Sequence, residues 1–306
     1  MKPFPQLMFA TFVIVISFLF FLLVSMVVAI PLFGMDSLFN MPTINDLDNP
    51  ESIRMLKYFQ VIQSFGLFIV PPFILAWLFH GQISEYLRLD RQVSGASIIG
   101  VIVLVIASLP LVNLIGAWNM QMELPNWLSG IEEWMKNAEE NATRLTEAFL
   151  EVDTTGGLMF NLFMIAFLPA LGEELLFRGV IQRIFTRWTH SHHWGIVISA
   201  FLFSSLHIQF YGFVPRLLLG VMFGYLLVWS GSMWLPIAAH FVNNGFAVIA
   251  MFLIDRNILS RGVEEVGSVS GSYYMAVVSF LLVAALLFLM YRENRGRHLK
   301  VGELDT

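Results

Sequence analysis

Two adjacent carboxylates, Glu173 and Glu174, and one guanidinium, Arg178, stand in the apolar stretch FLPALGEELLFRGVIQRIF. Charges in hydrocarbon cost about 2.5–3.5 kcal/mol each on insertion scales, and they mark function. Three more polar groups follow on later apolar segments: His207 closes FLFSSLH, and His240 and Asn244 lie in LPIAAHFVNNG. Helical spacing sorts the set. Glu174 and Arg178 are four residues apart, so they share a face and can pair. Glu173 points about 100° away from Glu174, which leaves it free for chemistry. His240 and Asn244 repeat the four-residue spacing, as do Phe203 and His207, where the aromatic ring forms a wall beside the imidazole.

A carboxylate in a low-dielectric site suits a general base near neutral pH. With an imidazole beside it, it polarises a water for attack on an amide carbonyl. A second imidazole and a side-chain amide then donate to the developing oxyanion. That division of labour is peptide-bond hydrolysis without a covalent intermediate. Taken singly, each residue has a plainer use, a histidine bonding a nearby backbone or an asparagine joining two helices. The combination on three separate segments points instead to a shared polar cavity. Ser204 and Ser205 offer a weaker nucleophile, because a helix turns both away from His207.

The elements that must hold these groups are written in the composition. Hydrophobic residues make up 57% of the 306, and charged residues only 13%, about half the charge of a soluble domain. This is an all-α, polytopic membrane helix bundle. The net charge of -5 comes with no basic stripe, so nucleic acid is not a partner, and the absence of cysteine excludes disulfides and a thiol nucleophile. Apolar runs of about 20 residues predict eight spans, near 8–32, 61–80, 96–117, 157–178, 194–211, 213–230, 233–254 and 272–291. The bias of Lys and Arg places both termini in the cytoplasm, with the basic tail of Arg295, Arg297 and Lys300 agreeing. The cysteine-free style suits a bacterial inner membrane. Depth counting at about 1.5 Å per residue puts Glu173, His207, His240 and Asn244 between the inner surface and just past the midplane, which predicts an inward-opening cavity.

One segment, about 123–151, is not a span. Trp127, Ile131, Trp134, Met135, Ala138, Leu145 and Phe149 recur at helical spacing opposite acidic positions, an amphipathic helix on the outer interface or packed on the bundle. The histidines of HSHH, His190, His192 and His193, fall in an inner loop. Arg216 and Asp255 flank span ends, where snorkelling accounts for them. The chain reads as one membrane domain over 1–306: accessory spans in 1–156, a core over 157–255, and a last span with the basic tail over 256–306.

Three motifs in order, EExxxR in EELLFR, FxxxH in FSSLH and HxxxN in HFVNN, resemble the CPBP family of intramembrane proteases. That family includes CaaX prenyl proteases and bacteriocin-processing and self-immunity proteins. The resemblance covers roughly 157–255. It implies Glu173 as the base that activates water with His207, an oxyanion hole of His240 and Asn244, and support from Glu174 and Arg178. The implied partners are membrane lipid and a peptide or protein with a membrane-embedded or lipidated segment. The family has been read both as glutamate-type and as metalloprotease; zinc on Glu173, His207 and His240 is the metal-dependent version. Two rivals keep the membrane fold without proteolysis: a scaffold or self-immunity protein, and a proton-coupled transporter, for which inverted repeats are missing.

Overall fold

The computed structural model describes residues 1–263 and 265–293; the basic tail of Arg295, Arg297 and Lys300 lies outside the described residues. Among the described residues the regular structure is helical throughout, without strands. The helices are α1 (Pro3–Phe33), α2 (Pro50–His80), α3 (Gly95–Met120), α4 (Ser129–Leu150), α5 (Thr155–Thr189), α6 (His192–Ser205), α7 (Phe213–Ser230), α8 (Trp234–Asp255) and α9 (Tyr273–Glu293). Seven of them are long and apolar enough to cross a membrane, all but α4 and α6.

The expected span over 194–211 is therefore corrected. Its helix ends at Ser205 after 14 residues, about 21 Å at 1.5 Å per residue, and the chain leaves it through a turn in which Ile208 has φ 53°. The run stays apolar, so hydropathy alone could not see the break. α6 still reverses the chain. His193 Nδ1 meets Tyr225 Oη at 2.6 Å near one end, and Ser204 Oγ donates to the Phe213 carbonyl at 2.7 Å at the other. α6 and α7 thus lie antiparallel.

Two helices run longer than their apolar cores. α2 begins at Pro50, where Asn49 caps it by accepting from the Glu51 amide at 2.9 Å. Proline suits the first turn because its missing N–H has no partner there anyway. α5 starts behind a Thr154 cap, whose hydroxyl accepts from Gly157 N at 3.0 Å, and it continues to Thr189, well beyond Arg178.

Close packing around α5 depends on small residues of α7. A Cβ on Gly220 would stand 3.1 Å from the Ala200 Cβ, and one on Gly224 would stand 2.8 Å from Gln182 Oε1. These glycines, four apart, let the backbones approach as small-xxx-small pairs do in membranes. A buried core forms where Ala10, Leu75, Leu175, Val180 and Ile237 meet from α1, α2, α5 and α8. A second forms where Val101, Leu104, Phe223, Leu226 and Ala239 meet from α3, α7 and α8. The amphipathic segment folds as α4, preceded by a 3-10 turn at Asn126–Leu128. Trp127 and Trp134 remain exposed, while Trp134 packs on Phe210 with ring centroids 5.2 Å apart.

Candidate active site

The EExxxR sequence falls near the middle of α5, where two π-helical turns, Leu162–Phe167 and Phe177–Ile181, flank it. Such turns shift side-chain register and recur at functional sites. Arg178 sits inside the second, yet it still meets Glu174: Nη1 lies 2.9 Å from Oε1. Both side chains are buried, Glu174 at 0% and Arg178 at 2% exposure. Arg178 Nη2 also donates to the Gly220 carbonyl at 3.2 Å, an approach that glycine makes possible. Its guanidinium rests over the Phe203 ring at 4.7 Å and the Phe223 ring at 5.5 Å. A buried ion pair persists when its polar atoms and faces are occupied; here the guanidinium faces are covered, while Glu174 Oε2 is buried without a hydrogen-bond partner.

α8 brings His240 to the same carboxylate. His240 Nδ1 lies 2.8 Å from Glu174 Oε1, so that single oxygen is shared by guanidinium and imidazole. A carboxylate only accepts, so Nδ1 carries the proton. That leaves Nε2 facing Glu173, 3.8 Å from Oε2, and the ring stacked on Phe223 at 5.3 Å. The four-residue spacing linked His240 to Asn244 but held no sign of the Glu174 contact, which crosses from α5 to α8. Asn244 Nδ2 donates to the Ile165 carbonyl at 3.1 Å. Its Oδ1 accepts from Asn243 at 3.1 Å. Ile165 lies inside the first π turn, where the regular ladder is disturbed.

His207 stands in the turn after α6 rather than inside a helix. Its Nδ1 lies 2.8 Å from the Phe203 carbonyl, which fixes the proton on Nδ1 and leaves Nε2 as the basic atom. Phe203 and His207 rings meet edge to face at 5.0 Å, the wall that their spacing predicted.

Glu173, His207, His240 and Asn244 share one cavity of about 620 Å³, while Glu174 and Arg178 stay behind its wall. The cavity is lined by Leu145, Thr146 and Phe149 of α4 and by the turn around Gln209 and Gly212. Its wall thus includes residues of α4, the helix that the sequence reading places on the outer side. Five polar residues of the cavity lie outside the sequence motifs: Gln60, Thr146, Gln209, Arg216 and Asn243. Asn243 was adjacent to a motif residue, and Gln209 lay in a supposed span. Arg216, taken as a snorkelling residue, lines the cavity instead; a cation so soon after a catalytic-type histidine was the available signal.

The zinc reading does not fit this arrangement. No group of three His, Cys, Asp or Glu among the described residues is gathered to hold a metal ion, so no step is derived through one.

The fold and site define a class, a polytopic helical membrane protein with a buried carboxylate–imidazole centre. Residues 155–246 match the family model described as Rce1-like, type II CAAX prenyl endopeptidase Rce1-like. The motif-bearing segment of the chain is thus Rce1-like, in agreement with the CPBP motifs. A relative, the uncharacterized protein YpbD of Bacillus subtilis (strain 168), is 28% identical over 86 residues, 27% of this chain and 41% of that protein. The chain thus spans well under half of the length of the curated relative it matches. No solved structure matches the chain.

Proposed function

We propose that the protein is an intramembrane endopeptidase that hydrolyses a peptide bond of a membrane-embedded or lipidated substrate. The observation that carries this reading is the split between neighbouring carboxylates. Glu174 is consumed by Arg178 and His240, whereas Glu173 reaches the cavity shared with His207, His240 and Asn244.

In this mechanism Glu173 and His207 Nε2 hold a water, and Glu173 takes its proton as the oxygen bonds to the scissile carbonyl carbon. The carbonyl π electrons move onto oxygen. The free N–H of the Asn244 amide donates to that oxyanion, and so does His240 Nε2 with a proton taken up from bulk water, while Nδ1–H stays hydrogen-bonded to Glu174. Collapse breaks the C–N bond, and Glu173 returns the proton to the leaving amine. Segment 157–255 is the catalytic core in this reading, with 1–156 as accessory structure.

The test compares new peptide termini in membranes of cells making wild type or Glu173→Ala at matched levels. Termini present only with the wild type support the proposal and name the substrate. Identical profiles, with any phenotype kept by the variant, sink it and favour a scaffold or self-immunity role.

A further inference from the structure

Asn243 stands beside Asn244 on α8, half-buried, and lines the same cavity. It falls outside the HxxxN motif and has no part in the chemistry described so far. Neighbouring residues on a helix point about 100° apart and do not ordinarily face each other. Here the two side chains meet, with Asn243 Nδ2 donating to Asn244 Oδ1 at 3.1 Å.

The contact matters because a primary amide has two ends of similar size and opposite polarity. Turned over, Asn244 would set a carbonyl oxygen against the developing oxyanion and repel it. Two contacts fix which way it lies. At one end, Asn244 Nδ2 donates to the Ile165 carbonyl at 3.1 Å, and a carbonyl only accepts. The sequence prepares that acceptor. Pro169, four residues further along α5, has no N–H, so the α-helical partner of the Ile165 carbonyl is missing. The ladder is also shifted there, since the Leu168 amide reaches back to the Phe163 carbonyl. At the other end, Oδ1 takes the Asn243 N–H. One hydrogen bond fixes a point, whereas two fix the plane of the amide. With Nδ2 spending one N–H on Ile165 and Oδ1 occupied, the second N–H is left for the cavity.

We infer that Asn243 is a positioning residue that holds the Asn244 amide in the orientation offering an N–H to the oxyanion, with the Ile165 carbonyl as the second fixed point. Its catalytic consequence rests on the proposed peptidase reading; the clamp itself does not.

The experiment therefore has two readouts. Protein in nanodiscs carries ¹⁵N on asparagine side chains and ¹³C on isoleucine carbonyls, and solid-state NMR measures the dipolar contact between them. The part of the signal that Asn244→Ala removes reports the Asn244–Ile165 pair. Asn243→Ala should weaken that part, and the isosteric Asn243→Asp, whose carboxylate cannot donate, repeats the comparison should the alanine variant melt early. Kinetics on the peptide found by terminal profiling should show kcat falling at least about tenfold, as for a misplaced group, with KM unchanged. In the Asn244→Ala background the same substitution should add less than about twofold, because it acts through Asn244. Recovery of the NMR contact or of kcat by Asn243→Gln, which keeps the donor, supports the clamp. An NMR contact unchanged by both Asn243→Ala and Asn243→Asp, a loss confined to KM, or a full further loss without Asn244 overturns it. Absence of Glu173-dependent cleavage, with the contact present and weakened by Asn243→Ala, removes the peptidase reading alone.

Discussion

His240 donates through Nδ1 to Glu174 Oε1 at 2.8 Å, the oxygen that Arg178 already meets at 2.9 Å. The relationship gives the two adjacent glutamates different duties. One is a buried anchor that orients an imidazole and neutralises a guanidinium, and the other keeps its oxygens for the cavity.

Because Glu174 is an anchor, its loss is felt in stability. Glu174→Gln leaves Arg178 charged and unpaired where neither residue touches solvent, and breaking such a pair costs about 3–5 kcal/mol. Thermal melting in nanodiscs should show a large fall. The double variant Glu174→Gln/Arg178→Met should fall by less than the sum of the single losses. Additive losses would show that the pair is not coupled.

Asn244 is expected to act on rate more than on folding. Asn244→Ala removes a donor to the oxyanion, worth about 10²–10³ in kcat at comparable sites, together with the hydrogen bonds to Ile165 and from Asn243. Steady-state kinetics on the peptide found by terminal profiling checks this. A change confined to KM would place Asn244 in substrate binding instead.

The α5–α7 approach is predicted to be intolerant of bulk. Gly220→Leu pushes a side chain into Ala200 and against Arg178, and overpacking of this kind costs about 1–3 kcal/mol. Melting temperature and the fraction of protein recovered folded report it. Gly100, which has nothing within 4 Å of its position for a Cβ, should accept the same change.

α4 is pinned to the cavity rim where Glu139 Oε2 accepts from the Tyr211 amide at 3.1 Å. Glu139→Ala should speed hydrogen exchange at Tyr211 and its neighbours while leaving α5 protected. Unchanged exchange would mean that the Trp134–Phe210 contact holds the rim alone.

The sequence carried the parts whose meaning is local. The four-residue spacings of Glu174 with Arg178 and of Phe203 with His207 became contacts as expected, and the apolar runs became helices. What it could not carry was set between helices or by backbone irregularity. The π turns around the EExxxR segment leave no compositional trace, and the end of α6 at Ser205 falls inside an unbroken apolar run. The Glu174–His240 bond and the place of Arg216 needed three helices at known orientation. Gly220 and Gly224 are legible in the sequence as a small-xxx-small spacing, but the helix they receive is not.

The central claim is that Glu173 alone of the two carboxylates does the chemistry. The direct measurement is the turnover of purified wild type and Glu173→Gln on the peptide identified by terminal profiling, with melting followed in parallel. The account predicts that the isosteric variant melts like the wild type and loses at least about 10³-fold in kcat, because the amide cannot take the water's proton. Cleavage within a few-fold of wild type, at equal folding, would contradict it.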